Sequence, residues 1–173
     1  MSAKVALRVR LKVPDTTALS AEDILKRKMG YADRLERLER EDWWLFEVEA
    51  DDPVRARERV DEWAARCTAL VNPNKHHSTV EVLDTWPPEG RGTGIRVLVR
   101  DREDVRADSM LAFLRKSFGA RDLAALSSAT LWTLHAGSTE IDARSLAAEI
   151  TVLRSQARGL LANPHAQVFE IWT

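Results

Sequence analysis

Trp43-Trp44-Leu45-Phe46-Glu47-Val48-Glu49, followed shortly by Asp52-Pro53, is the stretch on which the fold turns. Large apolar side chains alternate with acids in its second part, the pattern of a strand with one face inward. Asp52 can then cap a helix whose first helical position is Pro53. Val60, Trp63, Ala64, Cys67, Leu70 and Val71 recur at helical spacing behind it and form one apolar stripe. Asn72-Pro73 is expected to stop that helix, and Val80 to Leu83 to supply a closing strand. Upstream, Val5, Leu7, Val9, Leu11 and Val13 alternate with Arg8, Arg10 and Lys12, so an opening strand has an apolar and a basic face. Pro14 ends it. Leu19 to Ile24 reads as a helix start, with Ser20 as cap, Asp23 closing a capping box and Leu19 stapled onto Ile24. Gly30 can stop that helix in the left-handed conformation.

The same order of signals returns in the second half. Ile95 to Arg100 reads as a strand, and Leu111, Leu114 and Phe118 form a helical stripe ended by Gly119. Leu131-Trp132-Thr133-Leu134 is again a tryptophan-bearing strand, with Trp132 where Trp44 fell. Leu146, Ile150, Leu153, Ala157 and Leu160 mark a second long helix stopping at Asn163-Pro164, and Val168 to Trp172 closes the copy. Glycine stops, Asn-Pro stops and tryptophan strands in one repeated order predict a tandem duplication. The division that follows is unit 1 over residues 1–86, a proline- and glycine-bearing linker over 87–94 and unit 2 over 95–173.

Leu35 and Leu38, like Leu123 and Leu126, are three apart, a spacing that fits a helical turn as well as a bulged strand. Taken as a strand that turns at Glu41-Asp42 to pair with the Trp43 strand, the segment gives the order βαββαβ. The expected fold class is therefore α+β: two tandem ferredoxin-like units forming a pseudo-dimer within one chain. If Trp44, Phe46 and Trp132 point to the cores, Trp43, Leu45 and Leu131 fall on the opposite sheet faces, where they are candidate interface residues.

Lys+Arg (26) and Asp+Glu (27) nearly cancel, so global charge predicts no strong capture of nucleic acid or of an anionic membrane. No apolar run approaches a bilayer span and the amino terminus shows no signal core, which together predict a cytoplasmic location. Cys67 has no disulfide partner and no ligand-spaced companion, and is expected in the core. His76-His77 would point to opposite faces of a strand and lack further ligands, so they are expected as polar loop residues. His135 and His165 stand alone without a nucleophile beside them. The glycines of Gly90-Arg91-Gly92-Thr93-Gly94 precede a strand, whereas a phosphate loop follows one. Arg8, Arg10 and Lys12 could meet RNA, but the stacking aromatics of sheet-based RNA readers are missing. No cofactor, metal site or intrinsic catalysis is expected.

Met29-Gly30-Tyr31, then Leu35, Leu38 and Arg40, and the ending Gly159-Leu160-Leu161-Ala162-Asn163-Pro164 resemble PurS, the small subunit of phosphoribosylformylglycinamidine synthase. Ala69-Leu70-Val71-Asn72-Pro73 carries a weaker version of that ending. The family's first-loop glycine is absent from Pro14-Asp15-Thr16-Thr17 and Asp101-Arg102-Glu103-Asp104, and Glu41-Asp42 replaces its Gly-Lys hairpin. The resemblance implies a non-catalytic adaptor in purine (IMP) biosynthesis. Its partners would be the glutaminase subunit (PurQ) and the ATP-dependent synthetase subunit (PurL), between which ammonia passes, with self-association besides. Gly30, Tyr31, Asn72, Pro73, Gly119, Asn163 and Pro164 are the signature positions. The competing reading is a tandem ACT-like module binding an amino acid between paired units, although both copies lack the glycine such modules place after the first strand. A stand-alone interaction domain ranks third.

Overall fold

A computed structural model of the chain describes residues 2–86, 88, 94–152 and 160–172. The elements run β1 (Ser2–Leu11), α1 (Thr16–Asp23) continuing into a π-helical turn (Ile24–Lys28), β2 (Leu35–Glu49), α2 (Pro53–Arg66) and β3 (His76–Val82). They continue with β4 (Ile95–Asp101), α3 (Val105–Phe118), β5 (Leu123–Ala136), α4 (Ala143–Thr151) and β6 (Gln167–Trp172). The fold is α+β, with a six-stranded antiparallel sheet in the order β3-β1-β2-β5-β4-β6. In this sheet β1 pairs with β2 from Ser2↔Glu49 to Val9↔Asp42, and β4 with β5 from Ile95↔Leu134 to Val99↔Thr130.

The expected hairpin at Glu41-Asp42 does not form. β2 runs unbroken for 15 residues through that point, so each half reads βαβαβ rather than βαββαβ. A two-residue hairpin needs positive φ at its centre, which favours glycine or asparagine and which Glu-Asp does not supply. The chain instead stays extended and finds its partner in β5, as the hydrogen bonds from Glu49 N to Asp122 O and from Gly137 N to Arg34 O show at the two ends. Leu35 and Leu38 both lie in strand and in the same core, so the inward alternation shifts by one residue between them.

The chain divides into two compact units, and these do not coincide with 1–86 and 95–173. One comprises Met1–Val13, Glu41–Pro88 and Asp104–Ala129, the other Pro14–Arg40, Glu89–Glu103 and Thr130–Thr173. The first thus contains β3, β1, the second part of β2, the first part of β5, and helices α2 and α3. Its core joins Val5, Leu7, Trp44, Phe46, Val60 and Trp63 from the first half to Ala107, Leu114 and Leu123 from the second. The other unit contains β6, β4, the rest of β5 and β2, and helices α1 and α4. Its core joins Ala18, Leu25, Leu35 and Leu38 to Val97, Trp132, Leu146 and Ile150. Four strand segments and two helices in each body are compatible with ferredoxin-like units. Positions 87 and 89–93 of the linker lie outside the described residues.

Helix boundaries follow their caps. Asp52 accepts from Arg55 N and precedes Pro53, as the sequence predicts. Helix α1 starts earlier than predicted: Asp15, not Ser20, is its cap, accepting from Thr17 N and Ala18 N. Leu19 and Ile24 are consequently exposed rather than stapled. Gly30 and Gly119 take φ of +80° and +64°, ending their helical segments as expected. Helix α2 stops at Arg66, before Asn72-Pro73, and the chain turns through Cys67, which is buried as expected. Leu153, Ala157 and Gly159 of the predicted fourth helix lie outside the described residues. Among the described residues no helix is long and apolar enough to cross a membrane.

Candidate functional site

The Gly-Tyr turn is built where the π-helical turn runs out. Beyond Gly30, Tyr31 N–H reaches back to Leu25 O at 3.1 Å, and Tyr31 O accepts from Arg34 N and Leu35 N at 3.1 and 2.9 Å, feeding the chain into β2. Lys26 ties the turn to the same strand, donating to Glu22 Oε1 and to Glu36 O at 2.6 Å each, while Glu22 Oε2 accepts from Leu38 N at 2.9 Å. Burial pushes the Glu22 carboxyl up, but the hydrogen bonds from Lys26 and Leu38 outweigh it and hold the group below its ordinary value.

Tyr31 and Arg34 also engage α4. The Arg34 guanidinium lies 5.6 Å from the Tyr31 ring centroid and forms a two-pronged pair with Glu149 at 2.8 and 3.1 Å. That bond holds Glu149 below the usual carboxylate range and raises Arg34, while burial, reinforced by Glu149, pushes the Tyr31 phenol up. Ala120 stands after Gly119 where Tyr31 stands after Gly30, and is fully buried. There Arg115 secures the entry to β5 by donating to the carbonyls of Leu123 and Ala124.

The two Asn-Pro segments prove to be turns into edge strands, each built on the same bonds. Asn72 O accepts from Lys75 N and His76 N at 3.0 and 2.8 Å; Asn163 O accepts from Ala166 N and Gln167 N at 3.1 and 2.7 Å. Each asparagine side chain accepts from the backbone two residues on, Asn74 or His165. Each asparagine N–H donates to a side chain at the start of the strand, His76 Nδ1 at 3.1 Å or Gln167 Oε1 at 2.8 Å. The carbonyls of Pro73 and Pro164 accept from Lys12 and Arg102. Signature residues at these turns therefore shape the backbone.

Trp43 and Leu131 are 2% and 1% exposed, buried within the chain itself, and Leu45 is half-buried. Trp43 packs edge-on against Trp86, with ring centroids 5.7 Å apart. The aromatic surface here is Trp86, which is 40% exposed. On the basic face of β1, Arg8 lies 3.9 Å from both Glu41 and Glu81, and Lys12 is bonded to Pro73 O, leaving a surface of mixed charge.

His76 and His77 open β3 rather than occupying a loop, and His165 is exposed. His135 is less isolated than its sequence suggests, since Nε2 lies 3.0 Å from Glu39 Oε2 and 3.3 Å from Arg37. Among the described residues no group of three His, Cys, Asp or Glu is placed to hold a metal ion. The cross-half pairs Arg34–Glu149 and Arg59–Asp122 were not legible in the sequence, because they join residues 115 and 63 positions apart. Taken together, these groups fasten turns and helices. No family model matches the chain, and no curated protein matches it.

Proposed function

We propose that the chain is a fused, PurS-like adaptor: two ferredoxin-like units of duplicated origin that form a pseudo-dimer in one polypeptide and bridge a glutaminase to an ATP-dependent synthetase in the cytoplasm. The observation that carries this reading is the repetition of one hydrogen-bond framework at Asn72-Pro73 and Asn163-Pro164, two of the positions at which the sequence resembles PurS. The left-handed glycines at 30 and 119 repeat in the same way. The resemblance assigns these residues no chemistry, and their bonding is that of a scaffold. Such an adaptor keeps two active sites docked, so that ammonia passes between them before it is protonated or lost. Fusion favours this role, because a tether holds one unit near the other at an effective concentration of roughly millimolar.

Reconstitution with the synthetase and glutaminase of the same cell tests the proposal. Glutamine-dependent formation of the amidine product should require this chain, while ammonia-dependent formation should need it far less. Equal glutamine-dependent rates with and without the chain would overturn the adaptor reading.

A further inference from the structure

Two ion pairs fasten the halves of the chain to each other, and they run in opposite directions. In the unit that holds α2, Arg59 Nε donates to Asp122 Oδ2 at 2.7 Å and a second nitrogen lies 3.3 Å from Oδ1. In the unit that holds α4, Arg34 donates to both oxygens of Glu149. The positions correspond. Arg34 and Asp122 each stand directly before the first buried leucine of a long strand, Leu35 of β2 or Leu123 of β5. Arg59 and Glu149 follow the aspartates that cap their helices, Asp52 and Asp142, at the same spacing. Both times a helix residue of one half meets a strand-entry residue of the other half, but base and acid have changed places.

A third contact is one-sided. Arg106 of α3 pairs with Asp42 Oδ2 at 3.1 Å and lies over the Trp44 ring at 4.3 Å. The corresponding positions, two beyond the cap Asp15 and two before Trp132, hold Thr17 and Thr130, which carry no charge.

We infer that these contacts select the pairing partner: the surface of the first half fits a second half and rejects another first half. Two first halves paired in the same geometry would set Arg59 against Arg34. Two second halves would set Glu149 against Asp122. Arg59 would keep Glu62 of its own helix at 2.7 Å, but like charges would face each other where each now meets an opposite one, which disfavours the wrong pairing, a form of specificity built from repulsion. A fold that exchanges segments between two copies has particular need of it, because exchange between separate molecules is its characteristic failure. The four side chains are 28% to 46% exposed, so selection should be strongest at low ionic strength. The inference rests on the matched positions of the two halves and is independent of the adaptor role.

The test uses the full-length chain. R34E/E149R reverses one pair: both pairs within the chain remain opposite in sign, but position 34 now offers an acid to Arg59 of another molecule. R59E/D122R does the same through the other pair. Reversing all four positions restores like charge within each half. Each protein is refolded from denaturant over a range of concentrations at low salt, and the dimer fraction is read by size exclusion with light scattering. Both two-site variants should give several-fold more dimer than the wild type and the four-site variant, an excess that disappears in about 1 M salt. Equal dimer fractions in all four proteins would overturn the inference, as would a four-site variant that dimerises like the two-site ones. Either two-site variant suffices, so if one does not refold the other decides.

Discussion

Arg106 lies over the indole of Trp44, its guanidinium carbon 4.3 Å from the ring centroid, although the two residues belong to opposite halves of the chain. The ring itself is 1% exposed and sits in the core of its unit. Removing the cation and removing the ring should therefore differ sharply. Arg106→Ala loses a partly exposed cation–π contact and the pair to Asp42, about 0.5 to 1 kcal/mol. Trp44→Ala opens a cavity and should cost about 3 to 5 kcal/mol, as should Trp132→Ala in the other core. Urea unfolding midpoints measure all three. A loss below about 1 kcal/mol for either tryptophan would show that its ring does not support the core.

Gly30 and Gly119 offer a separation of backbone strain from packing. A Cβ added at either would meet nothing within 4 Å, yet both have left-handed φ. Gly30→Ala and Gly119→Ala should each destabilise by about 1 to 2 kcal/mol through conformation alone, while Gly→Asn, which tolerates that region, should cost less. Equal losses for alanine and asparagine in thermal unfolding would point to a steric cause instead.

The Arg34–Glu149 pair should leave a mark on acid stability. Glu149 is held below the ordinary carboxylate range by the bond from Arg34, so its contribution is present above that range and is lost as pH falls through the folded-state value. Both side chains are about half exposed, which limits the effect at neutral pH to about 1 kcal/mol or less. Glu149→Gln should be less stable than the wild type at neutral pH, and the difference should close on acidification. A gap that stays constant from pH 7 to pH 3 would mean that the carboxylate charge is not what matters.

Local chemistry was legible in the sequence, and exchange between the halves was not. The alternation of Val5, Leu7 and Val9, the Asp52-Pro53 start and the two glycine stops each depend on neighbours a few residues away, and each appears where the sequence puts it. Ser20 and Asp23 have the spacing of a capping box, but Asp15 lies nearer the preceding strand and takes the first turn's amides. Glu41-Asp42 shows the deeper limit. The missing glycine was visible, but whether the chain bends there or continues depends on β5, a strand from the other half. The same distance hid the ion pairs, while the contact of the candidate interface residue Trp43 with Trp86 joins residues 43 positions apart, with ring centroids 5.7 Å from each other.

The two Asn-Pro turns make the last prediction, because each supplies the other's control. At the first turn the Asn72 N–H donates to His76 Nδ1, and at the second the Asn163 N–H donates to Gln167 Oε1, so an imidazole nitrogen and an amide oxygen do the same work. The bond needs His76 to present Nδ1 as an acceptor, with any ring proton on Nε2. His76→Gln should preserve the turn, since glutamine already serves at the matching place. His76→Ala leaves Asn72 N–H without that acceptor in a partly buried site and should cost about 1 kcal/mol. Hydrogen exchange at the Asn72 amide, read beside the unfolding midpoint, separates the two: protection should persist in His76→Gln and fall in His76→Ala. Equal protection in both variants would show that the backbone bonds from Lys75 and His76 to Asn72 O hold the turn by themselves.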